Sequence, residues 1–163
     1  MDIQKLTGKR IVSIHRAADM LCVQVGETIS VHTRKDGKRE IPEYGIHFQC
    51  QWRFVEKGEI LLASHDIYNP YDPSLAHDDR WDWDVLGREK GQGSVFDARA
   101  REFAAAFLPL RIERIHMADT GDLRMDLEGD VCFDTFISCS TRREYYRFLD
   151  HHLNEHTVIF DED

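Results

Sequence analysis

Three groups of residues carry side chains able to do chemistry. The first is the string His152-Leu153-Asn154-Glu155-His156 near the C-terminal end. On a helix, imidazoles four residues apart share a face and can chelate one zinc ion, while the glutamate beside the second activates a metal-bound water. Catalytic zinc also needs a third protein ligand and an open position. Only seven residues follow His156, and the ligating types among them are Asp161, Glu162 and Asp163. Nine histidines in the chain make a chance pairing ordinary. A zinc-dependent hydrolase built on His152, Glu155 and His156 is therefore an alternative expectation and not the leading one.

The second group is an acidic and aromatic run. Asp66, His77, Asp78, Asp79, Asp82 and Asp84 surround Trp81 and Trp83. Such carboxylates could bind a hard cation or serve as general acids and bases. The spacing departs from the calcium loop of an EF-hand, because the D-x-D-x-D-G order and the closing glutamate are missing. The plain alternative is that both tryptophans tuck toward a sheet and the aspartates stay in water. A third expectation is an interaction patch, since aromatic side chains anchor interfaces. On that reading Trp81, Asp82, Trp83 and Asp84 are the binding residues.

The third group is a polar strand face made by His47, Gln49, Gln51 and Arg53, with Asp66 across a hairpin. Lining a cleft, it would hold a small polar ligand. Covered by a helix, it would hold Arg53 and Asp66 as a structural ion pair, and we favour that role. The chain contains no Walker A loop, no G-x-G-x-x-G and no G-x-S-x-G.

These groups must be positioned by a chain rich in strand signals. Val12 and Ile14 alternate with Ser13 and His15, Leu21, Val23 and Val25 share a face, and Ile29 and Val31 follow. Arg34–Arg39 is a charged loop around an Asp-Gly turn. Ile46–Val55 alternates most clearly, turns at Glu56–Glu59 and returns through Ile60–Tyr68. Pairing Val55 with Ile60 would set Trp52 against Ala63 and Gln49 against Asp66. Residues 69–93 have no period, the mark of a long functional or disordered excursion, although Trp81, Trp83 and Val85 could form a short strand.

Ser94 and Asp97 form an S-x-x-D capping pattern, and Phe96, Ala100, Phe103 and Phe107 recur at helical spacing before Pro109. Strands are expected again at Leu110–Met117, Leu123–Leu127, Val131–Ile137 and Thr157–Phe160. Tyr145, Phe148, Leu149 and His152 fit a helix face or a strand. The expected fold is α+β: a largely antiparallel sheet of about six to nine strands, the 46–68 hairpin at its centre and one main helix over about 94–108 packed on it.

Composition sets the outer limits. At 163 residues, with 42% hydrophobic and 31% charged, the chain is sized for a single domain. The net charge of -9 disfavours general nucleic-acid or anionic-membrane binding. The charge is uneven: residues 1–60 sum to +2 and the remainder to -11. Cys22, Cys50, Cys132 and Cys139 make no C-x-x-C pair and sit in apolar stretches, where thiols act as small hydrophobes. No apolar run suits a signal peptide or a membrane span, so a cytoplasmic location is expected.

The segment Gly45-Ile46-His47-Phe48-Gln49-Cys50-Gln51-Trp52-Arg53 resembles the L-H-x-Q-C-x-W-R core segment of a family of small uncharacterised bacterial proteins. That family's early G-x-x-I strand matches Gly8–Val12, and its F-D helix opening matches Phe96-Asp97. Its late E-x-W-R matches Glu144-Tyr145-Tyr146-Arg147 with tyrosine in place of tryptophan. The resemblance implies a bacterial α+β domain and carries no catalytic residues. The leading functional expectation is a non-enzymatic binding protein for a basic protein partner, of the kind that neutralises a toxin, with no cofactor.

Overall fold

In the computed structural model, which describes residues 2–33, 37–84, 93–141 and 143–159, the alternating segments form ten strands. They are β1 (Arg10–Ala17), β2 (Met20–Thr33), β3 (Gly37–Phe48), β4 (Gln51–Glu56) and β5 (Glu59–Ala63), then β6 (Leu110–Met117), β7 (Leu123–Leu127), β8 (Val131–Phe136), β9 (Tyr146–Asp150) and β10 (Glu155–Ile159). All pairings are antiparallel, in the order β10-β9-β3-β2-β1-β6-β7-β8-β4-β5. One α-helix, α1 (Val95–Phe107), lies between β5 and β6 in the chain. The fold is α+β, as expected, with more strands than the sequence suggested.

The sheet cannot be flat. β3 and β4 stand third and ninth in the order, which is roughly 29 Å apart across a flat sheet. Only Gln49 and Cys50 join them, and such a step spans about 11 Å at most. The sheet therefore rolls so that its two halves, β10-β9-β3-β2-β1 and β6-β7-β8-β4-β5, face each other. The seam between them is short: Arg10 pairs with Arg111 and Ile11 with Leu110.

Aromatic rings fill the interior. Phe133 on β8 lies 4.8 Å from Phe48 on β3 and 4.7 Å from Phe54 on β4, centroid to centroid, and Trp52 stacks on it at 6.2 Å. The helix closes this core through Phe96, 5.9 Å from Trp52, and Phe103, 4.7 Å from Phe54. Ser94 caps α1 as its spacing predicted: its Oγ accepts from the Asp97 amide, and Asp97 accepts from the Ser94 amide. Phe96 and Phe103 are buried, with Ala100 and Phe107 packed beside them.

Several expectations are corrected. Ile46–Val55 is not one strand, because the corner at Gln49-Cys50 divides it between β3 and β4. The β4–β5 hairpin consequently lies at an edge of the sheet and not at its centre. A bulge between Phe54 and Val55 sets Arg53 against Ala63 and the buried Leu62 against Phe54, so Leu62 faces the core. In β1 a bulge between Ile11 and Ser13 turns Ile11 and Ile14 inward and leaves Val12 outside. Of the helix and strand readings left open for Tyr145–His152, the strand is found, in a β9–β10 hairpin. Cys22 is buried, but Cys139 is exposed. Of the expected charged loop Arg34–Arg39, Gly37–Arg39 are instead the start of β3, paired with Val31–Thr33, while residues 34–36 and Val85 lie outside the described residues.

The long strand β2 also bulges, between Val25 and Thr28. Gly26 adopts φ +91° there, and the Glu43 side chain on β3 reaches back so that its Oε2 accepts from the freed Glu27 amide at 2.9 Å. A Cβ on Gly26 would overlap that carboxylate, and its φ is one that L side chains rarely adopt. Gly26→Ala should therefore lower the unfolding free energy by about 2–4 kcal/mol in urea titration. A loss below the uncertainty of the titration would remove this account of the bulge.

Candidate interaction site

The segment that follows β5 is tied down at its base. A short 3₁₀ helix spans Ser64–Tyr68, with Asp66 Oδ2 accepting from the Ala63 amide at 2.8 Å. The Tyr71 amide then donates to Gly93 and the Val95 amide to Asn69, at 2.9 and 2.8 Å, closing the excursion where α1 begins. Inside it the aspartates build turns. Asp72 accepts from the Ser74 amide, Asp78 from the Arg80 amide and Asp82 from the Asp84 amide, each two residues ahead. This is the Asx-turn geometry, and it accounts for the recurrence of aspartate in a stretch without strand or helix period. Trp81–Asp84 is turn and irregular chain, not a strand.

The aromatic side chains divide into anchors and exposed surface. Trp83 is half-buried against the core and meets the Tyr68 ring at 5.0 Å, nearly perpendicular. Trp81 is also half-buried, whereas Tyr68 and Tyr71 are 41% and 50% exposed. The Tyr68 hydroxyl donates to Asp19 Oδ2 at 3.1 Å, bringing one more carboxylate to this surface. Residues 66–84 hold six aspartates and one arginine. Arg80 is committed to Asp78, whose carboxyl it holds down at about 2, with the Arg80 amide assisting. Among the described residues Asp72, Asp79, Asp82 and Asp84 have no ion-pair partner.

Arg16, which sequence reasoning missed, fixes this arrangement. Its Nε and Nη2 donate to the two Asp97 oxygens at 2.8 and 3.0 Å, Nη1 donates to the Ala18 carbonyl at 3.0 Å, and Nη2 also donates to the Trp83 carbonyl at 2.9 Å. Its side chain is only 3% exposed. The β1 bulge is what points it inward, on the same face as Ile14 two residues earlier. A strand-end arginine in phase with a core isoleucine is the signal that was available. Burial raises the Asp97 carboxyl and the Arg16 and Ser94 bonds more than offset it, so the net shift is downward. Arg16→Met should cost about 2–4 kcal/mol, because it strands Asp97 and frees the Trp83 carbonyl. Thermal denaturation checks this, with Trp fluorescence following the released segment; unchanged melting and emission would contradict it.

The polar face proposed from the sequence is divided by the corner. His47 lies on the outer face of the first half, in register with Arg147 on β9 and Cys22 on β2. Burial lowers its pKa, and the nearby Arg147, His15 and His151 push in the same direction. Gln49 sits in the corner, donating from Nε2 to Glu144 at 3.3 Å. Gln51 and Arg53 belong to the second half. Gln51 Nε2 stands 3.5 Å from His65 Nε2, and Arg53 stacks 4.7 Å over the Phe136 ring with Asp134 at 3.9 Å. Asp66 caps the 3₁₀ turn and does not pair with Arg53, so the expected Arg53–Asp66 bridge is replaced by Arg53–Asp134. No single cleft collects these five residues.

The H-x-x-E-H string is also dispersed. His152 is in the turn after β9, while Glu155 and His156 begin β10, so the two imidazoles do not share a helical face. Among the described residues no three His, Cys, Asp or Glu side chains gather closely enough to hold a metal ion. His152 Nε2 instead approaches Glu43 Oε1 at 3.2 Å. Burial would raise the Glu43 carboxyl, but the bonds from Lys9 Nζ, the Glu27 amide and His152 outweigh it and hold it at about 2. A carboxyl depressed in the folded state stabilises above its unfolded pKa of about 4.5, and that stabilisation fades as the pH falls toward 2. Between pH 6 and pH 3 the wild type should lose about 1–2 kcal/mol more than Glu43→Gln in urea titrations. Equal acid sensitivity of the two proteins would refute that assignment.

Comparison with known proteins contributes no relative: no family model, no curated protein and no solved structure matches the chain. The resemblance at Gly45–Arg53 thus rests on its motifs alone.

Proposed function

We propose that the chain is a non-enzymatic binding protein that captures a basic protein partner through Tyr68, Tyr71, Trp81 and the carboxylates around them. One observation carries this reading. The segment is anchored by Arg16 and clamped at its base, yet it presents exposed aromatic rings beside Asp72, Asp79, Asp82 and Asp84, which no cation among the described residues pairs. Rigid aromatic groups supply contact area at small entropic cost, and uncompensated carboxylates steer and orient a cationic partner. Neutralisation of a basic toxin inside a bacterial cell is the finer form of the same proposal. It draws on the domain's small size, its acidity and the resemblance. None of the described helices is long and apolar enough to cross a membrane.

The structure refines which tryptophan to alter. Trp83 packs on the core, so its removal confounds binding with stability. Trp81→Ala and the triple change Asp79→Asn, Asp82→Asn and Asp84→Asn are cleaner. Immobilised wild-type chain should retain a stoichiometric basic protein from an extract of its source cells, released by raised salt. Each variant should weaken retention at least tenfold while keeping the wild-type circular dichroism. Retention that survives both variants would exclude this surface as the docking site.

A further inference from the structure

Beyond Val25 and Tyr44 the β2–β3 ribbon pairs only with itself among the described residues, so residues 28–33 and 37–42 form a two-stranded arm. Between this arm and the turn that follows β9 lies a groove of about 790 Å³. Ile29, Val31 and Ile41 line it together with three imidazoles, His32, His151 and His152. Neighbouring groups hold two of those rings. His151 Nδ1 lies 2.6 Å from the Pro42 carbonyl, and His152 Nε2 lies 3.2 Å from Glu43 Oε1. Both partners only accept, so these two nitrogens carry the hydrogens. A neutral imidazole has a single N–H, which leaves a bare lone pair on His151 Nε2 and another on His152 Nδ1.

These are the bonds that metal-ligating histidines make. Such residues almost always donate their second nitrogen to a carbonyl or a carboxylate, which fixes the tautomer and raises the basicity of the free nitrogen. Neither lone pair, nor the His32 ring, has a hydrogen-bond partner among the described residues. No Asp or Glu lines the groove, so it lacks the oxygen ligands that calcium and magnesium require. Imidazole nitrogen instead suits zinc, copper and nickel. We propose that the groove binds a divalent late transition-metal ion through His151 Nε2, His152 Nδ1 and His32. The three rings do not stand close enough together to enclose an ion as they are. His32, exposed on the arm, completes the set by rotating its side chain, and the ion then clips the arm to the C-terminal hairpin. The set uses neither Glu155 nor His156, and it shares no residue with the surface of Tyr68, Tyr71 and Trp81. Metal binding and capture of a basic partner are therefore separable.

Calorimetric titration of zinc chloride into the full chain, carrying no histidine tag, should show one ion per chain at about pH 7.5. Affinity should fall at least tenfold by about pH 5.5, where protons occupy the free nitrogens. His32→Gln, His151→Gln and His152→Gln should each weaken binding at least tenfold, whereas His156→Gln should leave it unchanged. His32→Gln is the decisive variant, because that side chain makes no bond within the described fold. His151→Gln and His152→Gln also release Pro42 and Glu43, so circular dichroism accompanies them. Lack of a stoichiometric zinc ion, or an affinity indifferent to His32→Gln or to His151→Gln, would overturn the proposal. Binding lost with His156→Gln would overturn it in favour of the His152–His156 string.

Discussion

The passage from β3 to β4 through Gln49 and Cys50 is the constraint on which the rest of the molecule depends. Two residues cannot cross a flat ten-stranded sheet, so the corner obliges the two halves to face one another. That closure brings Phe48 and Trp52 onto the same Phe133 ring from opposite sides of the bend. It also makes Cys50 a packed thiol, pushed by burial up to about 12 and so removed from thiolate chemistry. The Gln49 amide completes the turn by donating to the Tyr145 carbonyl at 2.8 Å, which ties the corner to the strand that follows the second half.

Bulges decide which side chains the rolled sheet presents. The one in β1 delivers Arg16 to the base of the acidic segment, and the one in β2 creates the vacancy into which Glu43 returns. Both are single-residue offsets, and each reverses the facing of all residues beyond it. Much of the polar organisation follows from them. Lys9 and His152 converge on Glu43, and Lys5 reaches Asp150 on the neighbouring strand at 3.4 Å. A chain of alternating charge, Arg53–Asp134–Arg124–Asp126–Arg114, covers the outer face of the second half.

This also explains what sequence pattern could and could not convey. Helix α1 was legible because its signals are local: a serine and an aspartate three apart, then phenylalanines at helical spacing. The hairpins from β6 to β8 were legible for the same reason. The facing of Val12 was not, since a bulge leaves no mark on hydrophobic alternation until partners are known. Tyr145–His152 satisfied two periods at once, and only pairing of Tyr146–Asp150 with β3 decided between them. Of the candidate site, Trp81, Trp83 and the aspartates were visible as types, and the turns explain their spacing. The rigid support from Arg16 was hidden because it depends on contacts 67 and 81 residues away in the chain.

The short seam at Arg10 and Ile11 has a kinetic meaning. Hairpins β1–β2–β3 and β6–β7–β8 are each built from neighbours in sequence, and chain entropy lets them form early. The β1–β6 pairing that unites them, like those of β3 with β9 and β4 with β8, joins residues distant in the chain, about 75 to 106 positions apart, and requires loop closure before any contact rewards it. Gly8 and Lys9 extend the seam by exchanging amide bonds with Ile112 at 2.8 Å, yet it remains the narrowest junction in the sheet. The two ribbons thus form from local pairings, while their junction depends on the closure of a long loop and, with two residue pairs, is the part of the sheet least held by strand pairing.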